Sequence, residues 1–336
     1  MTYTDYLNKL IAGTDLSADE TTDVMDQLMD GELTPAQVAA FITALRIKGE
    51  TTDEISAAAL SMRRHATRID AGPPPIVDTC GTGGDGSGTF NISTTAAFIA
   101  AGAGVKIAKH GNKSVSSQCG SADVLAALGV NLDITPDQVG DCVRNIGIGF
   151  LFAPKLHGAM KHAIGPRREL GVRTIFNMLG PLTNPAGATA QVIGVFDAAL
   201  TEVFAEVLNK MGSSRAMIVH GSDHLDEITL TGTTQVSELK DGKVETRQLD
   251  PQEYVGSLCS ADALKGGDAK VNAGILRDIL GGDEGPKADV AKLNAAAAIY
   301  VGGLADNLGA AYGKAGDAIE SGAAKQKLDD LVAATS

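Results

Sequence analysis

The stretch Asp78-Thr-Cys-Gly81-Thr-Gly83-Gly84-Asp85-Gly86-Ser-Gly88-Thr89-Phe-Asn91-Ile92-Ser93-Thr94 constrains the chain more than any other. The run before it, Pro75-Ile-Val-Asp-Thr79, reads as a short strand, and the run from Ser93 through Ala101 reads as an apolar helix. The glycines therefore fall at a strand-to-helix turn. Glycine lets the backbone take positive φ and approach a ligand closely, and the first N–H groups of the helix point the same way with the positive end of the dipole behind them. The turn is suited to a phosphate or a pyrophosphate.

Gly81, Gly83 and Gly86 satisfy G-x-G-x-x-G, but a dinucleotide unit also needs an acidic residue at the end of the next strand. That strand, Val105-Lys-Ile-Ala108, runs into Lys109-His110, the wrong charge for a ribose diol. No G-x-x-x-x-G-K-[ST] is present, which excludes a Walker loop. The segment from Lys109 to Asp123 instead gathers Lys109, His110, Gly111, Asn112, Lys113, Ser114, Val115, Ser116, Ser117 and Ser121 at the carboxyl end of a predicted strand. In an open α/β sheet ligands bind there. Its lysines and hydroxyls would meet phosphate oxygens, and a helix starting at Ser121 would add another N-terminus.

Residues 1 to about 70 carry helix starts and no convincing strand. Ser17/Glu20, Thr34/Gln37 and Thr51/Glu54 each match a capping box, the second with Pro35 at the first helical position. Apolar residues follow at helical spacing (Val38, Phe41, Ile42, Leu45, Ile47). This predicts a small helical bundle, and an apolar stripe left exposed on it would serve as a subunit interface. Asp70-Ala-Gly-Pro73-Pro74-Pro75 then marks a linker. Beyond it, short β-branched runs alternate with Ala/Leu-rich helices, with strands expected at 105–108, 148–152, 191–195, 216–220 and 227–230. Gly232 to Arg247 reads as a hairpin around Asp241-Gly242. The fold class is α/β, with a small all-helical N-terminal domain and a larger domain built on a mostly parallel sheet. Residues 154–185 break the alternation with helical pieces, and the end of the chain from Asp289 is helical and Ala-rich, too interrupted for a membrane span.

A formal charge of -13 excludes nucleic acid and anionic membranes as partners by simple repulsion. A polyanionic substrate would then need local cations. The four cysteines (Cys80, Cys119, Cys142, Cys259) lack C-x-x-C spacing, and Met1-Thr-Tyr-Thr-Asp-Tyr6 is neither basic nor apolar, so a cytoplasmic setting is expected. Cys80 and Cys119 are read as packing residues rather than nucleophiles. His220-Gly-Ser-Asp223-His224-Leu-Asp226-Glu227 follows another predicted strand. Its histidines lack a third zinc ligand, whereas the Asp226-Glu227 pair suits Mg²⁺, which keeps part of its water and needs only one or two protein carboxylates.

The runs GTGGD (81–85), NIST (91–94), KHGNKSVSS (109–117), RRELGVRTIFNMLGPLTNP (167–185) and HLDE (224–227) together closely resemble the anthranilate phosphoribosyltransferase family. Pyrimidine nucleoside phosphorylases share that architecture but have a KHSTGG-type loop and a further domain that 336 residues would not accommodate. The resemblance implies a nucleoside-phosphorylase-like two-domain architecture, with residues 1–72 joined in space by helices from about 155–185, and 73–336 binding 5-phosphoribosyl 1-diphosphate in the cleft between. It implies transfer of the phosphoribosyl group to the amine of anthranilate in tryptophan biosynthesis, by a homodimer associating through its helical domain.

The donor would be met by Gly81, Gly84, Asp85, Thr89, Asn91, Ile92, Ser93, Thr94 and the 109–117 segment with Ser121. Anthranilate would be met by Gly81, Asn112 and Arg167, whose fork suits a carboxylate. Two Mg²⁺ ions would be held with the help of Ser93, Asp226 and Glu227. No residue is assigned as acid, base or nucleophile, since an aryl amine is neutral at pH 7. His157 and His162 are read as lining or surface residues. A phosphorylase or another phosphoribosyltransferase on the same scaffold, and a non-catalytic phosphometabolite sensor, are the competing readings.

Overall fold

The computed structural model describes residues 1–113 and 118–336; Ser114, Val115, Ser116 and Ser117 lie outside the described residues. The chain opens with four helices, α1 (Tyr3–Ile11), α2 (Ala18–Asp30), α3 (Pro35–Lys48) and α4 (Thr52–His65). All three expected capping boxes form, and a fourth at Thr2/Asp5 starts α1. Each satisfies backbone donors that the first turn leaves open. The bundle closes over Val24, Met25, Leu28, Phe41, Ile42 and Leu45, all at 1% exposure or less.

Glu54 exceeds its capping role. Its carboxylate, fully buried, accepts from Leu16 N (3.0 Å) and Thr51 N (2.8 Å) and pairs with Lys48 (2.8 Å), tying three helices at one point.

After the proline linker, the sheet is assembled from β1 (Val77–Gly81), β2 (Ile107–Gly111), β3 (Ile148–Phe152), β4 (Ala190–Gly194), β5 (Arg215–Gly221), β6 (Thr234–Lys240) and β7 (Lys243–Leu249). The order is β3-β2-β1-β4-β5-β6-β7; the first five run parallel and the last two are the expected antiparallel hairpin, turning at Asp241-Gly242 with positive φ at both. The connections from β1 lead outward through β2 and β3, then return to place β4 on its other side. The order thus reverses between β1 and β4, and such a switch point opens a crevice at the carboxyl ends of the strands.

The helices of this domain are α5 (Ile92–Gly102), α6 (Ser121–Ala127), α7 (Pro136–Asp141), α8 (Ala153–Leu156), α9 (Lys161–Leu170), α10 (Phe176–Leu182), α11 (Leu200–Lys210), α12 (Ala269–Leu280), α13 (Pro286–Val301), α14 (Leu308–Glu320) and α15 (Ala323–Thr335). One face of the sheet is covered by α5 and α13, whose alanines let helix and sheet approach closely, with α14 and α15 behind them. On the other face α11 packs against β5 and β6 and also meets α4. α9 packs on α2 and α3, and Ile175, Phe176 and Leu179 share a core with the N-terminal helices. Among the described residues, no helix is long and apolar enough to cross a membrane.

One expected strand is absent. Ile228, Thr229 and Leu230 are buried and the first two are β-branched, but residues 227–230 form a loop. The side chain of Asn294 on α13 accepts from Ile228 N (3.0 Å) and donates to Ile228 O (2.9 Å), while Thr229 N donates to the Thr234 hydroxyl (3.1 Å). Side chains thus satisfy the backbone groups that a sheet ladder would have used.

Replacing Glu54 with alanine leaves the Leu16 and Thr51 amides without their acceptor and Lys48 with only Asp15 and the Gly49 carbonyl. Urea unfolding of Glu54→Ala is expected to show a loss of roughly 3 kcal/mol; an unchanged midpoint would mean that this junction does not hold the bundle.

Candidate active site

The glycine turn leaves β1 with Gly83, Gly84, Gly86 and Gly88 all at positive φ, and it delivers the chain to Asn91 at the mouth of α5. Asn91 does not cap the helix with its side chain. Its amide donates to Cys119 O (3.2 Å) and accepts from Asn272 on α12 (3.0 Å), tying the turn to the segment before α6. The exit of the turn is fixed by Phe90 N donating to Leu264 O (3.2 Å) and by a bridge between Thr89 and Lys265. Within the turn, Ser87 donates to Asp85 (2.5 Å). Ile92 and Thr94 are buried at 1% exposure, so what they can offer a ligand is main-chain N–H rather than a side chain.

Asp226 and Glu227 reach the same place from the loop after β5. Asp226 accepts from Gly83 N (2.8 Å) and Glu227 accepts from Ser93 N (3.1 Å). The loop comes this close because Gly194, the last residue of β4, has no side chain: a Cβ there would lie 1.5 Å from the Asp226 carbonyl oxygen. Burial, and after it the charge of Asp85, pushes the Asp226 carboxyl up to about 7. Burial and the Asp226 charge push Glu227 up to about 8. Two carboxylates in that condition lack positive charge.

Lys109 supplies part of that charge from below. It is buried at 3% exposure, and its amine donates to the Thr79 carbonyl and to the Ser93 hydroxyl (3.3 Å). Burial pushes it down, opposed chiefly by Asp78 and Glu227. Asp78 is the neighbour that sequence reasoning left without a role. Fully buried on β1, it accepts from His110 N (3.0 Å) and Asn184 (2.8 Å), fixing the end of β2 against β1. A charged residue inside a strand otherwise read as apolar was the available signal.

The donor set fits a hard, oxygen-seeking cation: two half-buried carboxylates with raised values and the Ser93 hydroxyl beside them. No group of three or more His, Cys, Asp or Glu side chains that could hold a metal occurs among the described residues. Mg²⁺ retains water and takes remaining ligands from phosphates, so two carboxylates and a hydroxyl are a sufficient protein share.

The second loop joins the first. Asn112 O accepts from Ala122 N (3.2 Å) and from the Ser121 hydroxyl (3.3 Å), and Lys113 is exposed beside it. Gly111 passes against Ser121 and Phe150. Residues 226–227 thus meet Gly83 and Ser93 directly, and the second segment reaches the same turn through Lys109 at Ser93 and Cys119 at Asn91.

His110 is placed differently. Its ring turns into the interior, where Nε2 lies 3.1 Å from Nε2 of His157, which is buried rather than on the surface; His162 packs on Gly31. Arg167 sits half-buried on α9, over the Phe176 ring at 5.1 Å, and burial lowers its value. Arg168 is exposed. Cys80 is pushed well up by burial, which agrees with packing rather than nucleophilic chemistry.

Burial pushes His110 down to about 3, with the His157 charge next in effect, and His157 down to about 4. The unfolded chain, whose histidines titrate at ~6.5, then binds more protons between those values. The pair's contribution to stability is complete above that range and is lost as pH falls toward 4. Unfolding free energy measured across this window should slope upward with pH, and His110→Gln/His157→Gln should flatten the slope; an unaltered slope would contradict the assignment.

Two family profiles match the chain. The one described as "Glycosyl transferase family, helical bundle domain" matches residues 4–66, and the one described as "Glycosyl transferase family, a/b domain" matches residues 73–325. An anthranilate phosphoribosyltransferase of Desulfosudis oleivorans is 54% identical over 331 residues, covering 98% of each chain. One from Acetivibrio thermocellus is 53% identical over 97% of this chain and 94% of its own. The crystal structure of the Thermus thermophilus enzyme superposes with a TM-score of 0.94 at 43% identity, covering 98% of this chain and 99% of that one. The Saccharomyces cerevisiae enzyme in complex with PRPP and Mg gives 0.90 at 30% identity, covering 99% and 97%. With its two-domain fold, its glycine turn and these relatives in agreement along nearly the whole length, the chain belongs to the anthranilate phosphoribosyltransferase family.

Proposed function

We propose that the crevice at the β1/β4 switch point binds 5-phosphoribosyl 1-diphosphate with Mg²⁺ and that the protein transfers its phosphoribosyl group to the amine of anthranilate, as in tryptophan biosynthesis. The observation that carries this reading is the meeting of Gly83, Ser93, Asp226 and Glu227 at one point. Amides suited to phosphate and carboxylates suited to a cation occupy the same few ångströms, which is the chemistry of a metal diphosphate.

In the reaction the anthranilate nitrogen forms a bond to C1 of the sugar, the C1–O bond to diphosphate breaks, and one N–H proton is released. The transition state at a glycosyl centre has oxocarbenium character, so the protein's tasks are to hold two reactants in line and to stabilise the departing anion. The turn from Gly81 to Thr89 and the first turn of α5 hold phosphate through main-chain N–H groups, with Asn91 and Ser93 at the junction. Lys109 positions Thr79 and Ser93 beneath them while adding one positive charge. Asn112, Lys113 and Ser121 close the other side, and the segment 114–117 is assigned to the same substrate on resemblance alone. Arg167 takes the acceptor's carboxylate by a two-pronged hydrogen bond, with Gly81 and Asn112 assigned to the same substrate on resemblance. Asp226, Glu227 and Ser93 would hold Mg²⁺, two ions in all with the diphosphate. When bound, the metal neutralises the charge that builds on the leaving diphosphate.

We assign residues 1–72 together with about 155–185 to the helical domain and 73–336 to the donor-binding domain, in a cytoplasmic homodimer. The dimer reading is supported by a shallow apolar groove between α1 and α3, lined by Leu7, Ile11, Ala40 and Ile47, in which Ile11 is 70% and Ile47 82% exposed. A second copy presenting the same face would cover it.

Loss of anthranilate fluorescence with the sugar diphosphate and Mg²⁺ tests the reaction directly. Asp226→Ala and Glu227→Ala should lower turnover on the order of a hundredfold, with a shifted Mg²⁺ dependence. Arg167→Ala should chiefly raise the anthranilate KM, by roughly tenfold or more. Equal, metal-independent losses in all three would undo the assignments, and phosphorolysis of thymidine in place of transfer would favour a phosphorylase. For the dimer, Ile47→Asp should halve the mass in sedimentation; an unchanged mass would place the interface elsewhere.

A further inference from the structure

The connector between α9 and α10, residues 171–175, carries an arginine to which neither the motif reading nor the site above gives a task. Arg173 is exposed as a residue, yet its geometry is tightly specified. Nη2 donates to the Gly84 carbonyl at 2.9 Å, and the guanidinium carbon lies 3.8 Å from the centre of the Phe196 ring. Phe196 is itself anchored to the glycine turn: its N–H donates to the Thr82 hydroxyl (3.0 Å), and Thr82 N donates to Gly194 O (2.9 Å). The turn is thus gripped from three sides, by Asp226 at the Gly83 amide, by the end of β4 at Thr82, and by Arg173 at the Gly84 carbonyl.

The third grip differs from the others in what it controls. Gly83 and Gly84 both have positive φ, and two such glycines in succession leave the peptide planes of the turn free to rotate at little cost. In a trans peptide the carbonyl and the N–H of the next residue point in opposite directions. Fixing the Gly84 carbonyl on Arg173 therefore fixes the direction of the Asp85 N–H, one of the donors that the turn can offer to an anion. The flat face of the guanidinium, seated on Phe196, sets where the donated hydrogen bond lies. A side chain at Gly84 would press on this contact, since its Cβ would lie 3.0 Å from Nη2, and it would also be strained by the positive φ there.

We infer that Arg173 is a positioning residue for the donor substrate: stacked on Phe196, it holds the glycine turn in its diphosphate-accepting conformation through the Gly84 carbonyl. Arg173 lies six residues after Arg167, just beyond the helix α9 that packs against α2 and α3, so the same contact ties the glycine turn to the helix that carries Arg167. This inference rests on the reading of the crevice as the diphosphate site.

Calorimetric titration of 5-phosphoribosyl 1-diphosphate with Mg²⁺ into the full chain tests it, using wild type, Arg173→Ala, Arg173→Lys, Phe196→Leu and the Arg173→Ala/Phe196→Leu pair. Arg173→Ala is expected to weaken binding about tenfold, the loss of one charge-assisted hydrogen bond. Phe196→Leu should weaken it in the same direction, and the double variant should be no worse than Arg173→Ala, since both remove one device. Arg173→Lys keeps the charge but lacks the flat face, so it should behave as the alanine variant does. Thermal unfolding should change little in the Arg173 variants, which alter an exposed side chain.

Full affinity in Arg173→Ala would overturn the inference. So would rescue by lysine, or full affinity in Phe196→Leu, because either would mean that the cation acts on the ligand by charge alone. A wild type that fails to bind the sugar diphosphate would instead remove the reading of the crevice, and this inference with it.

Discussion

The two carboxylates on the turn's amides, Asp226 on Gly83 and Glu227 on Ser93, are the contact on which the rest of the site depends. An anion at the N-terminus of a helix is stabilised by the dipole and by the first-turn N–H groups. Here the protein supplies that anion from a strand two places away in the sheet. The arrangement requires the order β1-β4-β5, and it requires β4 to end in a residue with no Cβ, because the Asp226 carbonyl lies flush against Gly194. It also sets a problem of charge. The amides that suit a phosphate are already engaged by carboxylates, and those carboxylates are held protonation-prone by burial, and after it by Asp85 at Asp226 and by Asp226 at Glu227. A diphosphate arriving alone would add repulsion; one arriving with a dication would bring the charge that the crevice lacks.

The charge of the whole chain sharpens this. At -13 the protein's field opposes a polyanion, so attraction has to be local. The cations present are few and placed with separate tasks. Lys109 is buried beneath the α5 N-terminus, Arg173 grips the turn from outside, Lys113 is exposed on the second loop, and Arg167 waits on α9. α9 belongs by packing to the N-terminal helices, which places Arg167 with those helices and the glycine turn on the sheet.

Much of this was legible because local chemistry and global fold agree. The capping boxes at Ser17, Thr34 and Thr51 formed as their residue types dictate, and the Asp241-Gly242 turn made its hairpin. The placing of both motifs at carboxyl ends of predicted strands agrees with the meeting of Asp226 and Glu227 with Gly83 and Ser93. What was not legible depended on partners distant in sequence. Residues 227–230 have strand chemistry, but Asn294 satisfies their backbone from α13. His110 lies in a polar run, yet its ring is claimed by His157 inside the molecule. Asp78 is signalled only as a charge inside an apolar strand, and nothing local in Asn272 or Arg173 names a task; the tasks come from Asn184, Asn91 and Phe196.

The most direct test of the account is anomalous diffraction from crystals grown with Mn²⁺ in place of Mg²⁺ and with 5-phosphoribosyl 1-diphosphate. The account predicts manganese peaks beside Asp226 and Glu227, with the diphosphate lying along the turn from Gly83 to Asn91. Manganese and diphosphate found together elsewhere on the molecule, with Asp226 still on the Gly83 amide and Glu227 still on Ser93, would contradict it.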